Sequence, residues 1–220
     1  MVTTEICVFN LLDTITLQDL LAADGVHQSS LSTVRSQPGC QTIYWGIGIQ
    51  ESQKLFWFIE WDSLSSHQTF QSLPTYPPFV SKALSIANPT HPSGPISVLH
   101  YNLPTPLSLL SPKSSPKPLL EYFALPLNTS LPDYQSSLST VLDILSSGLK
   151  NYHDGPIEAT YAFAIDEGHE NESLSLICWR DKDQHAAFLE TDTFKNAAPK
   201  MQELAMGPPL VSHIDFQEWE

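Results

Sequence analysis

Two tryptophans are each followed six residues later by a histidine and nine residues later by a phenylalanine: Trp61, His67 and Phe70, then Trp179, His185 and Phe188. An imidazole exchanges protons near neutral pH, so His67 or His185 could serve as a general base or hold a substrate carbonyl. The same position, near a helix N-terminus, equally suits a histidine bonded to a loop carbonyl. A second pair stands in Gly94-Pro-Ile-Ser-Val-Leu-His100 and Gly207-Pro-Pro-Leu-Val-Ser-His213. In a strand, side-chain alternation would put Asn102 on the face of His100 and Asp215 on the face of His213. A carboxylate beside an imidazole orients it and makes it more basic, so His213 with Asp215 is the better acid/base pair, although this segment could equally be a solvent-facing edge. The catalytic candidates are therefore His67, His185, His100, His213 and Asp215.

Room for a ligand is suggested by Gly46 and Gly48, with Ala162 and Ala164 at the matching places of the second half. A small-residue face could floor an apolar pocket framed by Tyr44, Trp45, Trp57 and Trp61, or could mark close helix packing. Trp61 and Trp179 read either as core anchors or as rings against a substrate. The eight histidines show no H-x3-H or HExxH spacing, so no protein-built metal site is expected. No G-x-G-x-x-G, P-loop or G-x-S-x-G motif points to nucleotide or serine-hydrolase chemistry.

These residues recur because the chain repeats itself. Trp61 and Trp179 lie 118 residues apart, and TIYWGIGI (42–49) matches EATYAFAI (158–165) at a spacing of 116. The openings TEICVFNL and LLEYFALPL agree if Glu5 faces Glu121. The identical heptapeptide QSSLSTV, at 28–34 and 135–141, is out of register with these by about ten residues and is expected at different turns of the first helix in each half. Residues 104–117, with most of the prolines of PTPLSLLSPKSSPKP, read as a linker between repeats 1–103 and 118–220.

Within a half, periodicity and turn residues predict strands at 5–11, 42–50, 54–61 and 96–102, with helices at 17–36 and at 63–71 plus 78–87. The second half gives strands at 120–125, 158–166, 173–179 and 209–216, with helices at 132–150 and 181–205. This β-α-β-β-α-β order is that of a ferredoxin-like α+β fold. In LFWFIEW both faces carry large apolar side chains, so both faces of the sheet should be buried. Two such sheets packed on each other would close an intrachain α+β barrel.

The bulk composition excludes several partners. Ten Lys and Arg against 24 Asp and Glu give a formal charge of −14, which repels nucleic acid and anionic membranes. No run of about 20 apolar residues and no export signal is seen, so a cytoplasmic protein is the default. Cys7, Cys40 and Cys178 are expected as reduced, buried thiols.

With Trp179 followed by Phe188-Leu-Glu-Thr-Asp-Thr-Phe194-Lys195, the sequence resembles the antibiotic-biosynthesis-monooxygenase-like domains of the dimeric α+β barrel superfamily. Their motif reads W-x8-H-L-x-T-x-H-F-K. Both histidine places are changed here, to Phe188 and Thr193, and the first half keeps Trp61 and Phe70 before departing into PTYPPF. The resemblance covers nearly the whole chain as two fused copies. It implies a cofactor-independent enzyme of secondary metabolism, using histidine acid/base chemistry on a small apolar or aromatic metabolite for cyclisation, rearrangement, decarboxylation or oxygenation. The alternatives within that superfamily are a non-catalytic small-molecule binder and haem binding through one histidine. Fused copies need no second chain to close a barrel, so a monomer or a homodimer is compatible.

Overall fold

The computed structural model describes residues 2–110, 119–130, 133–151 and 158–219. In chain order the elements are β1 (Thr3–Asn10), α1 (Leu17–Leu21), α2 (Val26–Arg35), β2 (Cys40–Ile47), β3 (Lys54–Trp61), α3 (Leu64–Gln71), α4 (Tyr76–Ala83) with a following 3-10 turn (Leu84–Ile86), and β4 (Ile96–Tyr101). Then come α5 (Leu107–Leu110), β5 (Leu119–Pro126), α6 (Tyr134–Asn151), β6 (Glu158–Phe163), β7 (Glu172–Trp179), α7 (Lys182–Leu189), α8 (Asp192–Leu204), β8 (Leu210–Ile214) and β9 (Gln217–Glu218). They form two compact units, one of Met1–Asn102 with Phe216–Glu220 and one of Leu103–Asp215.

Each unit is an antiparallel sheet backed by helices, and the two sheets share one topology. The first runs β4-β1-β3-β2, extended by β9 beside β2, and the second runs β8-β5-β7-β6. The register repeats residue for residue. Glu5 lies opposite Ile59 and His100, and Glu121 lies opposite Ile177 and His213. The chain is thus a tandem βαββαβ repeat of α+β class.

Strand alternation fixes what each sheet offers its helices. In the first unit Cys7, Phe9, Ile43, Trp45, Trp57, Ile59 and Trp61 pack with Leu31 and Val34 of α2, Phe70 of α3 and Ala83 of α4. In the second, Leu125, Leu127 and Trp179 pack with Leu138, Val141, Leu142 and Leu145 of α6, Phe188 of α7, and Ala197 and Leu204 of α8. The opposite faces are buried as well, through Ile6, Tyr44, Phe56 and Phe58 in one sheet and Leu120, Tyr122, Leu174 and Leu176 in the other. All three cysteines are free and buried.

The helices break where local chemistry gives a better end than continuation. Residues 17–36 form two helices because Thr16 and Asp19 close a capping box on α1, and Gly25 then starts α2. Residues 181–205 divide in the same way, with Asp181 accepting from Gln184 N and Thr191 accepting from Phe194 N. Gly148 lets α6 approach α8, since a Cβ there would collide with Thr193. The two copies of QSSLSTV occupy most of α2 and the opening turns of α6, with Leu31 and Leu138 both buried. Their spacing is short because the first half places α1 ahead of α2, while α6 runs on past its copy to Asn151.

In the expected linker, Leu107–Leu110 is helical, its two end leucines are buried, and it lies against β6 and β7, while 111–118 fall outside the described residues. The first residue of the helix expected at 132–150 also falls outside them. The strand expected at 209–216 stops at Ile214, and Phe216–Glu220 join the first unit. Among the described residues no helix is long and apolar enough to cross a membrane.

Candidate functional site

The repeated histidines converge on a repeated acid. In the first unit the central strand β1 carries Glu5, flanked by Trp61 at the end of β3 and His100 on β4, while Ser63 caps α3 and sets His67 one turn into it. Trp61 Nε1 donates to Glu5 Oε2 at 2.8 Å, and His67 Nε2 stands 3.5 Å from the same oxygen. His67 Nδ1 lies 2.7 Å from His100 Nε2, and its ring stacks on Trp61 with centroids 5.1 Å apart. The Cys7 thiol reaches Glu5 Oε1 at 3.3 Å, so both carboxylate oxygens are engaged.

The second unit rebuilds this arrangement from Glu121, Trp179, His185 and His213. Trp179 Nε1 donates to Glu121 Oε2 at 2.6 Å, His185 Nε2 stands 3.5 Å from that oxygen, and His213 Nε2 lies 2.9 Å from His185 Nδ1. His185 stacks on Trp179 at 5.0 Å. The difference lies at the place of Cys7, which here is Phe123, a side chain with no proton to donate. Glu121 Oε1 accepts no hydrogen bond among the described residues.

The environments also differ. Glu5, His67 and His100 are all buried, beside a cavity of only about 100 Å³ that Phe9, Trp57, Tyr76 and Phe79 crowd. Glu121 and His185 instead line a cavity of about 220 Å³ walled by Phe123, Leu142, Ile177, Phe188 and Phe194. The register explains the room, because Trp57 opposite Cys7 becomes Ser175 opposite Phe123. Phe79 likewise has Ala197 as its counterpart 118 residues on.

Burial sets the proton affinities in the second unit. It pushes the Glu121 carboxyl above the usual carboxylate range, an effect partly opposed by the Trp179 N–H and by His213. It pushes His185 and His213 below the usual imidazole range, with the Glu121 charge partly restoring His213. Near neutral pH the pair is therefore uncharged imidazole, able to accept a proton.

Each cluster offers one carboxylate and two imidazoles with one donor atom of each within 4.8 Å of the others, the composition of a two-His, one-carboxylate metal set. The bonds, however, use both nitrogens of the central histidine, Nδ1 toward the other imidazole and Nε2 toward the carboxylate. An ion takes only one nitrogen from each ring, so the set is compatible with a cation, contrary to the expectation from histidine spacing, and the contacts as they stand form a Glu-His-His chain.

The structure thus brings His67 to His100 and His185 to His213, joined by Glu5 and Glu121, which the sequence reading had used only to align the halves. An acid in the middle of an apolar strand, repeated in both halves, was the signal available for them. Asp215 does not share the strand of His213, because β8 ends at Ile214 and the Asp215 side chain is exposed. The expected frame around Gly46 and Gly48 divides between two faces. Trp45, Trp57 and Trp61 face the helices, whereas Tyr44 and Gly46 face the other way, with Tyr44 stacked on Phe216 at 5.0 Å. Gly48 serves the β2–β3 turn, where a Cβ would come within 2.8 Å of Glu51 O. Phe188, at the place where the resembled motif has histidine, packs on Trp179 at 5.5 Å, and the imidazole comes instead from His185 one turn earlier.

No protein-family model matches the sequence, and no curated protein sequence matches it. Solved structures do match. The chain is similar to a candidate monooxygenase from Fusobacterium nucleatum, with a TM-score of 0.67 at 8% identity over 99% of this chain and 93% of that one. It is similar to an anthrone oxidase-like protein, with a TM-score of 0.66 at 13% identity over 99% and 93%. A candidate monooxygenase from Lactobacillus acidophilus gives 0.61 at 10% identity over 99% and 95%. The likeness is one of fold. Its span over the whole chain means that the tandem arrangement, and not one repeat alone, is what these structures share.

Proposed function

We propose that the second unit is the active half of an oxygenase-like enzyme that needs no organic cofactor and acts on a neutral, apolar aromatic compound bearing an acidic C–H. The observation that carries this reading is the asymmetry of the repeat: the same Glu-His-His-Trp cluster adjoins a crowded cavity of about 100 Å³ in the first unit and an apolar cavity of about 220 Å³ in the second. Fold likeness to a protein named anthrone oxidase-like and to candidate monooxygenases supports the same reaction class.

Glu121 Oε1 takes the proton from the substrate carbon. A carboxylate whose proton affinity is raised by burial is a stronger base than an exposed one. The Trp179 N–H and His185 hold its other oxygen in place, and His213 fixes the His185 tautomer by donating to Nδ1. The substrate carbanion then gives an electron to dioxygen, which avoids the spin barrier of direct addition, and the two radicals combine at carbon as a peroxide. Loss of the second C–H proton with cleavage of the O–O bond leaves a ketone. The methylene loses two hydrogens and gains one oxygen atom, and the other oxygen atom departs as water. The apolar wall excludes bulk water from the carbanion.

Anthrone is a suitable probe, followed by oxygen uptake and by the absorbance of the quinone. The wild-type chain and Glu5→Gln should turn it over at similar rates, while Glu121→Gln should lose about 100-fold or more. Equal rates in Glu121→Gln and wild type, or an equal loss in Glu5→Gln, would remove the assignment. Saturable binding of anthrone without oxygen uptake would make the second unit a binding module.

A further inference from the structure

The second unit has an apolar groove of about 600 Å³ that shares Phe123, Phe194 and Met201 with the smaller cavity at Glu121. Its remaining walls are Leu125, Ala198 and Ala205, followed by Met206 and the 207–209 turn, with Gln202 as its polar side chain. We propose that this groove is the second subsite of one extended ligand, whose polar head sits at Glu121 and His185 and whose apolar tail passes Met201 into the groove. The inference rests on the cavity being a ligand site, as the proposed function has it.

Several observations converge on that occupant. At about 220 Å³ the inner cavity is below the roughly 300–1,000 Å³ of common ligand pockets, and the groove supplies the missing room. The ionisable groups stand at one end, Glu121 and His185 in the inner cavity, while the groove beyond is lined mainly by apolar side chains with Gln202 on its wall. Met206, 65% exposed, adds an apolar side chain to the open side of the groove. Met201 is flexible and unbranched, which suits a side chain between two compartments. The net charge of −14 favours a neutral head over an acidic one. The ligand class is therefore a neutral phenol or ketone with a long alkyl or fused-ring extension.

The test is a series of 4-alkylphenols, from 4-ethylphenol through 4-hexylphenol to 4-nonylphenol, with dissociation constants measured by equilibrium dialysis on the full chain. Affinity should rise about fourfold for each added methylene through the long members. In Ala198→Trp, which fills the groove far from the cluster, 4-ethylphenol should bind as in wild type while the gain from the long tails disappears. Gln202→Trp, on the exposed side of the same helix, should do the same if Ala198→Trp fails to fold. A tail gain undiminished in these variants, or a wild-type affinity that does not grow with tail length, overturns the groove subsite and leaves the inner cavity standing. If 4-ethylphenol does not bind, or binds equally to Ser175→Trp, the cavity reading itself fails and the groove falls with it.

Discussion

Replacing Ser175 by tryptophan would give the second unit the side chain that the first has at the equivalent place, Trp57. In the first unit that indole is 2% exposed and packs against Phe9 with centroids 4.5 Å apart, next to a cavity of about 100 Å³. In the second unit the new ring would enter a cavity of about 220 Å³ lined by Phe188, Phe194 and Leu142. A buried tryptophan removes about 150–250 Å² from water, and at about 25 cal/mol/Å² this gives roughly 4–6 kcal/mol before strain. Fitting an indole into walls not shaped for it costs about 1–3 kcal/mol, and area bookkeeping against an extended chain runs high. A net gain of about 2 kcal/mol remains, or about 4–8 °C in Tm for a chain of this size. The same substitution should abolish binding of 4-hexylphenol and turnover of anthrone. Thermal unfolding and equilibrium dialysis on one preparation read both effects. A folded Ser175→Trp chain that binds 4-hexylphenol as wild type does would refute the reasoning, because the indole and the ligand cannot share the space.

The reverse substitution, Trp57→Ser, should cost about 3–5 kcal/mol in denaturant unfolding, since it empties a packed core site. Asp181→Ala should lower stability by about 1 kcal/mol, because it removes the cap that starts α7 and so positions His185; the Tm reads it. His27 is buried against Trp45 and Trp57, donates from Nδ1 to Leu20 O at 2.8 Å, and is pushed down to about 4 from the ordinary 6.5 by desolvation. Its contribution is complete above about pH 6.5 and is lost as pH falls toward 4, where the unfolded chain takes a proton that the folded chain refuses. At about 1.4 kcal/mol per pH unit this amounts to roughly 3 kcal/mol, so urea midpoints of His27→Leu should fall less steeply than those of wild type over that window. Anthrone turnover should decline on acidification at a pH above the ordinary carboxylate range, since burial raises the Glu121 carboxyl; a pH–rate profile of kcat/KM with no acid limb there would count against Glu121 as the base.

Much of the architecture was legible because a duplicated chain carries its own alignment. Trp61 with Trp179 and His100 with His213 fix the same antiparallel register in both sheets, and that register brings the histidines together. The acid was harder to see. Glu5 lies 62 residues from His67 in the chain, and no local spacing announces a contact that only strand pairing creates. The argument for Asp215 met a related limit: period two holds only while the strand lasts, and β8 stops one residue short of it. The small residues Gly46, Gly48, Ala162 and Ala164 did not tell which half has room for a ligand. Space beneath the helices is instead set by the Trp57 and Ser175 exchange in the third strands, which the alternation of bulky and small residues in β2 does not reveal.

Strand β9 has a consequence for the order in which the molecule can be finished. Gln217 and Trp219 tie the segment after β8 to the first unit, through pairing with Trp45, a bond from Trp219 N to Ile43 O in β2, and an indole bond to Gln28 in α2. During synthesis the whole second repeat must leave the ribosome before that edge is covered, so the N-terminal half waits with an open, aggregation-prone border while its sibling is made. Deleting residues 216–219 would spare every residue of the Glu121 cluster and still leave that border bare, so that damage just beyond the second repeat is felt by the first.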